Sequence, residues 1–193
     1  KTCGFQFHFL LFYYFCRKYT KSLLMDSELF PIVNENGDVI GKATRKECHS
    51  GTFLLHPVVH IHIFNAQGQV YLQHRSMNKD IQPGKWDTSV GGHIDYGESR
   101  DDAARRECSE ELGVKAENLE FLYTYLWKSS REHELVNVYR LIYDGPFYPD
   151  GAEVTEGRFF SAEEIESLSE KDFFTPNFLY DWHRLVDFLD DNQ

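Results

Sequence analysis

The stretch GGHIDYGESRDDAARRECSEELGV, residues 91–114, crowds acidic side chains onto one short segment. Six of its carboxylates fall within residues 98–111 and belong to Glu98, Asp101, Asp102, Glu107, Glu110 and Glu111. Like charges one helical turn apart destabilise a helix by about 0.2–0.5 kcal/mol per pair, so another interaction has to offset this repulsion. A bound divalent cation is the expected source of that interaction.

The pattern predicts a helix over residues 98–112, ended by Gly113 as a C′ residue. With about 100° of rotation per residue, three carboxylates share one narrow sector. These are Glu107, Glu110 and Glu111. The neighbouring stripe, which is small enough to pack on a sheet, consists of Ala104, Cys108 and Leu112. Converging carboxylate oxygens suit Mg²⁺ or Mn²⁺.

The composition is that of a globular protein of 193 residues with a formal charge of −11 and no block of Lys and Arg. Duplex nucleic-acid binders neutralise phosphates with basic side chains, so this class is excluded. A small phosphorylated substrate remains compatible, because a metal ion screens its charge locally. The four cysteines form no CxxC pair, which favours a reducing compartment such as the cytoplasm.

The N-terminal segment contains the aromatic run FQFHFLLFYYFC, which is shorter than the roughly 20 apolar residues that span a bilayer. Ordinary domain sequence starts after Met25. We therefore expect residues 1–24 to be an extension outside the catalytic domain, and residues 25–193 to form one domain without a membrane span. A membrane-surface anchor and an added packing element are the alternatives for residues 1–24.

Short strands and turns dominate the chain outside the acidic helix. Hairpins are predicted over residues 29–45, turning at Asn36-Gly37, and over residues 58–76. Two further strands fall within residues 119–145. Helices are predicted to begin after Ser161 and Thr175, which are both N-cap residue types. A mixed sheet with helices on its faces accounts for this order.

The acidic segment resembles the Nudix box. Gly92, Glu98, Arg106-Glu107, Glu110-Glu111 and Gly113 stand at the offsets of that signature, and only Cys108, at an aliphatic position, departs mildly from it. The resemblance implies a Nudix α/β/α sandwich, with a mixed β-sheet flanked by helices. It also implies metal-dependent cleavage of a small diphosphate compound.

The resemblance implies a role for each acidic position. Glu107, Glu110 and Glu111 would hold Mg²⁺ or Mn²⁺, Glu98 would support them, and Arg106 would orient a glutamate by a salt bridge. The general base varies within the family, and the candidates are Glu111, Glu132, Glu134 and Glu153. The expected substrate-binding residues are Gly91, Gly92, Arg75 and Lys85.

A second resemblance covers residues 41–99, which are similar to type I isopentenyl diphosphate isomerase, a relative within the same superfamily. It implies a second metal site for Mn²⁺ or Zn²⁺. The ligands would be His49, His56, His93, Glu132 and Glu134. The chain departs from the isomerase at Gly91, where that family has a proton-transferring cysteine. This departure and the complete glutamate set favour a hydrolase of an isomerase-like branch over an isomerase or a non-catalytic sensing module.

Several further residues admit two interpretations. His60 and His62 share one face of a strand, so they either line the substrate cavity or are ordinary inward-facing polar residues. Trp86 and Trp127 either stack on a ligand or belong to the core. Exposed edge strands and an aromatic-rich surface are compatible with a homodimer.

Overall fold

A computed structural model describes residues 28–79, 81–149, 151 and 154–192. The interpretation of residues 1–24 and of Glu153 therefore concerns positions outside the described residues. The described chain divides into two compact units. The first contains residues 28–57, Asp95–Gly97 and Leu126–Leu135, and the second contains Val58–Ile94, Glu98–Tyr125 and residues 136–192.

Nine strands and four helices are assigned among the described residues. The strands are β1 (Leu29–Val33), β2 (Val39–Thr44), β3 (Leu55–Phe64), β4 (Val70–Arg75), β5 (Trp86–Asp87), β6 (Val90–His93), β7 (Glu120–Lys128), β8 (His133–Ile142) and β9 (Val154–Phe160). The helices are α1 (Arg45–Cys48), α2 (Arg100–Leu112), α3 (Ala162–Leu168) and α4 (Pro176–Asp191).

The first unit contains an antiparallel hairpin of β1 and β2. Oδ1 of Asn34 accepts hydrogen bonds from the backbone N–H groups of Asn36 and Asp38, both at 3.0 Å. Gly37 has a φ of 86°, a left-handed conformation that glycine adopts without strain. The predicted turn at Asn36-Gly37 is therefore confirmed.

A seven-stranded sheet dominates the second unit, with the order β5-β4-β3-β8-β7, β6 paired to β3 and β9 paired to β4. Side chains alternate between the two faces along β3. Val59, Ile61 and Ile63 pack in the same apolar cluster as α2. The residues between them, His60 and His62, reach α4 instead. Along β3, the face under α2 is therefore apolar, and the face under α4 carries two histidines.

Helix α2 begins two residues later than its pattern predicts. Ser99 is the N-cap, and its hydroxyl accepts a hydrogen bond of 3.2 Å from the N–H of Asp102. Glu98 therefore precedes the helix rather than beginning it. At the other end Gly113 has a φ of 65° and caps the helix as predicted. The predicted packing stripe, Ala104, Cys108 and Leu112, is fully buried.

On the other face of the sheet, α4 starts at the predicted Thr175 cap. Its buried side chains pack against α3 and against strands β4 and β9. They are Phe178, Trp182 and Leu185. Trp86 belongs to the same cluster, which supports its interpretation as a core residue. Among the described helices, none has both the length and the apolar character needed to cross a membrane.

Candidate functional site

Arg106 on α2 holds three glutamates together. Its Nε and Nη2 atoms donate to the two carboxylate oxygens of Glu98, each at 2.9 Å. Its Nη1 atom donates to Glu107 at 2.7 Å and to Glu110 at 3.3 Å. Nη2 also reaches the backbone carbonyl of His93 at 2.9 Å, which joins the helix to the end of β6. The hydrogen bonds to Glu98 raise the pKa of Arg106, so its charge is permanent.

Gly92 on β6 lies directly against the Glu107 side chain. A methyl group on Gly92 would overlap the Cγ, Cδ and Oε1 atoms of Glu107. Because only glycine leaves this space, the carboxylate can lie over the strand backbone. The glycine of the predicted motif therefore has a packing role that its position in the sequence does not reveal.

Glu111 is held from the sheet by a residue that the sequence analysis missed. Nε2 of Gln73 on β4 donates to Oε2 of Glu111 at 3.3 Å, and both residues are buried. An uncharged amide donor stabilises a carboxylate without cancelling its charge. The sequence offered one signal for Gln73: it is a polar residue on the face of β4 that packs against α2, where a buried polar side chain needs a partner.

The four carboxylates differ in their access to solvent. Side-chain exposure is 13% for Glu107, 17% for Glu98 and 61% for Glu110. Glu111 is the most deeply placed, at 8% for the whole residue. The four carboxylates extend from the helix surface inward, and the guanidinium of Arg106 is the cation that contacts three of them. Carboxylate oxygens of this kind are the ligands that Mg²⁺ and Mn²⁺ prefer.

The first unit brings together three of the residues predicted for a second metal site. Nδ1 of His49 lies 3.2 Å from a carboxylate oxygen of Glu132. A ring nitrogen of His49 and one of His56 lie within 4.8 Å of each other. Nδ1 of His56 is 2.9 Å from the carbonyl of Leu54, so Nε2 is the ring nitrogen that would ligate a metal at the predicted site.

Burial lowers the pKa of both imidazoles, that of His49 to about 4, and Arg45 acts in the same direction. Both rings are therefore neutral at pH 7, which is the form that binds metals. Glu134 is buried in the same unit, whereas His93 belongs to the second unit, so their roles as ligands stay predictions.

The two cations predicted to bind substrate have partners elsewhere. Arg75 donates to Asp87 at 2.8 Å and to the carbonyl of Ile81 at 2.9 Å. Nζ of Lys85 lies 2.5 Å from Asp172. These contacts show that both side chains stabilise the chain around β5. Their role in substrate binding stays a prediction.

The site combines a short glycine-containing strand, a carboxylate-bearing helix and one arginine that holds several carboxylates. A family model described as the NUDIX domain matches residues 54–182. The chain belongs to the Nudix family. Its fold class, a mixed sheet flanked by helices, is confirmed.

Three relatives illustrate the range of the family. The chain is 32% identical over 160 residues to an uncharacterized Nudix hydrolase of Streptomyces coelicolor, covering 82% of this chain and 88% of the relative. It is 30% identical over 159 residues to isopentenyl-diphosphate Delta-isomerase 1 of Photorhabdus laumondii, covering 78% and 90%. The crystal structure of DR0079 from Deinococcus radiodurans matches with a TM-score of 0.72 and 25% identity, covering 81% and 98%. The predicted isomerase-like branch of the family is therefore confirmed.

We predict that Gln73→Leu lowers the free energy of unfolding at neutral pH by about 1–3 kcal/mol, because a buried carboxylate loses a hydrogen-bond donor. Urea denaturation measures this loss. The same substitution in a Glu111→Gln background should cost less, giving a coupling energy of at least about 0.5 kcal/mol in a double-mutant cycle. Strictly additive losses would show that the two side chains do not interact.

Proposed function

We propose that the chain is a pyrophosphohydrolase that cleaves a diphosphate linkage in a small compound and depends on Mg²⁺ or Mn²⁺. One observation carries the proposal: Arg106 gathers Glu98, Glu107 and Glu110, and the Glu107 carboxylate lies directly against Gly92 of β6. Nucleoside diphosphate-type and isoprenoid diphosphate-type compounds are the two substrate classes that we propose, and the second is supported by the name of a relative, isopentenyl-diphosphate Delta-isomerase 1.

The acidic residues fit the proposed cation. Glu107, Glu110 and Glu111 offer carboxylate oxygens, while Glu98 supports them through the shared arginine. A divalent cation bound there neutralises phosphoryl oxygens and lowers the pKa of the attacking water. The carboxylates outnumber the arginine, so the site carries a net negative charge that attracts such a cation.

The chain's own residues supply position and proton transfer. Gly92 leaves the space in which the Glu107 carboxylate lies, and the amide of Gln73 holds the carboxylate of Glu111. A buried carboxylate accepts the proton of the attacking water, and we assign that role to Glu111 with Glu134 as the alternative. Arg106 maintains the spacing of the carboxylates during this transfer.

Isopentenyl diphosphate isomerisation is the second candidate function, because relatives about 30% identical to the chain carry that name. Its proton-transferring cysteine is replaced by Gly91, and a glycine side chain moves no proton. A module that only senses such a ligand is the third candidate. The intact carboxylate set favours catalysis over sensing.

The histidine cluster of the first unit is the proposed second metal site. Imidazole nitrogens together with a carboxylate suit Mn²⁺ or Zn²⁺ rather than Mg²⁺. We place the protein in the cytoplasm because Cys48 and Cys108 are free thiols in the described part of the chain. A homodimer stays a prediction, as does the absence of nucleic-acid and membrane partners.

We predict that the purified protein with Mg²⁺ or Mn²⁺ releases phosphate or a monophosphate from at least one compound in a diphosphate panel. The panel contains nucleoside diphosphates, dinucleotides, sugar nucleotides and isoprenyl diphosphates. Glu111→Gln should lower the rate by at least about 100-fold, because it removes a charged oxygen from the reacting centre. The exposed Glu117→Gln serves as the control. A fully active Glu111→Gln variant would show that the assigned site is wrong.

We predict that Gly92→Ala weakens Mn²⁺ binding by about 10- to 100-fold, because the new methyl group displaces the Glu107 carboxylate. Calorimetric titration of Mn²⁺ measures the affinity. Gly91→Ala is the matched control, because its methyl group would make only ordinary contacts of 3.6 Å with His60 and Thr88. Equal affinities of the two variants would contradict the role given to Glu107.

We predict that protein purified without chelator carries Mn or Zn, and that a His49→Ala, His56→Ala double variant loses it. Elemental analysis measures the metal content. His183→Ala, an exposed imidazole on α4, is the control and should retain the metal. Wild-type protein without any transition metal would exclude the second site and leave the carboxylate site unaffected.

A further inference from the structure

The seven-stranded sheet ends differently at its two edges. At one edge β5 has only two residues, and the segment that precedes α4 covers it. The N–H of Trp86 donates to the carbonyl of Phe173 at 3.1 Å, and the N–H of Thr175 donates to the carbonyl of Trp86 at 2.9 Å. At the other edge β7 runs for nine residues, and within the described part of the chain it pairs only with β8. Short or covered edges protect a sheet against pairing with another chain, and β7 is neither.

Strand β7 also lacks the residue types that protect an exposed edge. Its sequence, EFLYTYLWK, contains no proline or glycine, and its only charged residues are the first and the last. The positions between them are occupied by aromatic residues, leucine and threonine, most of which favour extended backbone. Two of the apolar side chains, Phe121 and Leu126, are more than one third exposed, at 37% and 39%. A long apolar edge of this kind is a template for a further strand.

The sequence of β7 is complementary to itself in the opposite direction. When two copies run antiparallel with Thr124 opposite Thr124, every other position meets a residue of matching character. The cross-strand pairs are Tyr123 with Tyr125, Leu122 with Leu126, Phe121 with Trp127 and Glu120 with Lys128. A shift of this register by one or two residues places a charged side chain opposite an apolar one. A two-fold interface requires such self-complementarity, because each contact between the copies occurs twice.

The charged residues at the two ends of β7 retain the capacity for an ion pair with a second copy. Glu120 is 53% exposed, and Arg140 donates to its Oε2 atom alone, at 2.9 Å from Nε and 2.6 Å from Nη2. Nζ of Lys128 lies 4.8 Å from the centroid of the Phe53 ring and forms no ion pair with a residue that the structure describes. Antiparallel pairing about Thr124 forms the Glu120–Lys128 contact at both ends, which favours this direction and this register.

We propose that β7 is an interaction surface for a second copy of this chain, and that two copies pair through antiparallel β7 strands centred on Thr124. Backbone hydrogen bonds across the two-fold axis supply the affinity, and the paired side chains supply the register. The sheets of the two copies then form one continuous sheet. The proposal is independent of the hydrolase function, because the association needs neither metal nor substrate.

Analytical ultracentrifugation of the full chain over the micromolar range measures the monomer–dimer equilibrium. Wild-type protein should dimerise. Glu120→Lys and Lys128→Glu each place like charges opposite one another at both ends of the interface, so each should raise the dissociation constant by at least about tenfold. Lys115→Glu is the matched control, because it changes the net charge as Lys128→Glu does, at an exposed position outside β7. It should keep the dissociation constant within about twofold.

A mixture of the two single variants separates a lost interface from a damaged fold. In a mixed dimer, the two lysines of the Glu120→Lys copy face the two glutamates of the Lys128→Glu copy, so opposite charges return at both ends. The mixture should therefore dimerise about as tightly as wild-type protein, and so should the double variant Glu120→Lys, Lys128→Glu.

Three results would overturn the inference. The first is a wild-type chain that stays monomeric across the whole range. The second is a dimer that persists unchanged in both single variants, because its interface then lies elsewhere. The third is a mixture that associates no better than its separate components. None of these results bears on the proposed hydrolase function, which the diphosphate panel tests separately.

Discussion

The ion pairs of Arg106 are the interaction on which the rest of the site depends. One guanidinium faces the carboxylates of Glu98, Glu107 and Glu110, so the group carries a net charge of −2 (one positive against three negative). Adding Glu111 makes the local charge −3. The arginine therefore fixes the geometry without neutralising the charge. A lysine would not do the same, because only the planar fork of arginine donates to several acceptors in fixed directions.

Strand β6 places two consecutive glycines beside this group of carboxylates. Alternation along a strand sends consecutive residues to opposite faces. Gly92 leaves the space that the Glu107 side chain fills, whereas a methyl group on Gly91 would make only ordinary contacts with His60 and Thr88. The carboxylates of α2 lie on one face and the imidazole of His60 on the other. The strand therefore separates the carboxylates of α2 from the imidazole of His60.

The sequence predicted the elements whose signals are local. The helical repeat identified the packing stripe of α2. Gly113 identified the end of the helix, because glycine is the residue type that most often takes the left-handed conformation at a helix C-terminus. The predicted start at residue 98 was wrong. The acidic pattern includes Glu98, but the hydroxyl of Ser99 caps the helix, which therefore begins at Arg100. The strand pairings brought Gln73 to Glu111 across 38 positions, and no local period encodes such a contact.

Asp181 shows why the periodicity of a sequence does not predict polar contacts between distant residues. It stands between Phe178 and Leu185, at the spacing of the buried stripe of α4, yet acidic residues on helices are normally assigned to the solvent face. Its position on the apolar stripe was a signal of a buried partner, but the partners lie 119 and 121 residues away. Only the folded sheet identifies them as the two histidines that alternate along β3.

The negative charge on α2 favours hydrolysis over isomerisation as the proposed reaction. Moving a proton between carbons requires an acid and a base near an alkene, and it needs no attack of water on phosphorus. Hydrolysis requires a cation that both screens the phosphates and acidifies water, and such a cation needs an excess of carboxylates. The site keeps that excess despite the repulsion it creates, with Glu111 buried and Arg106 supplying only part of the compensation. Because Gly91 also lacks the side chain that isomerisation requires, both the retained charge and the missing group favour cleavage of the diphosphate.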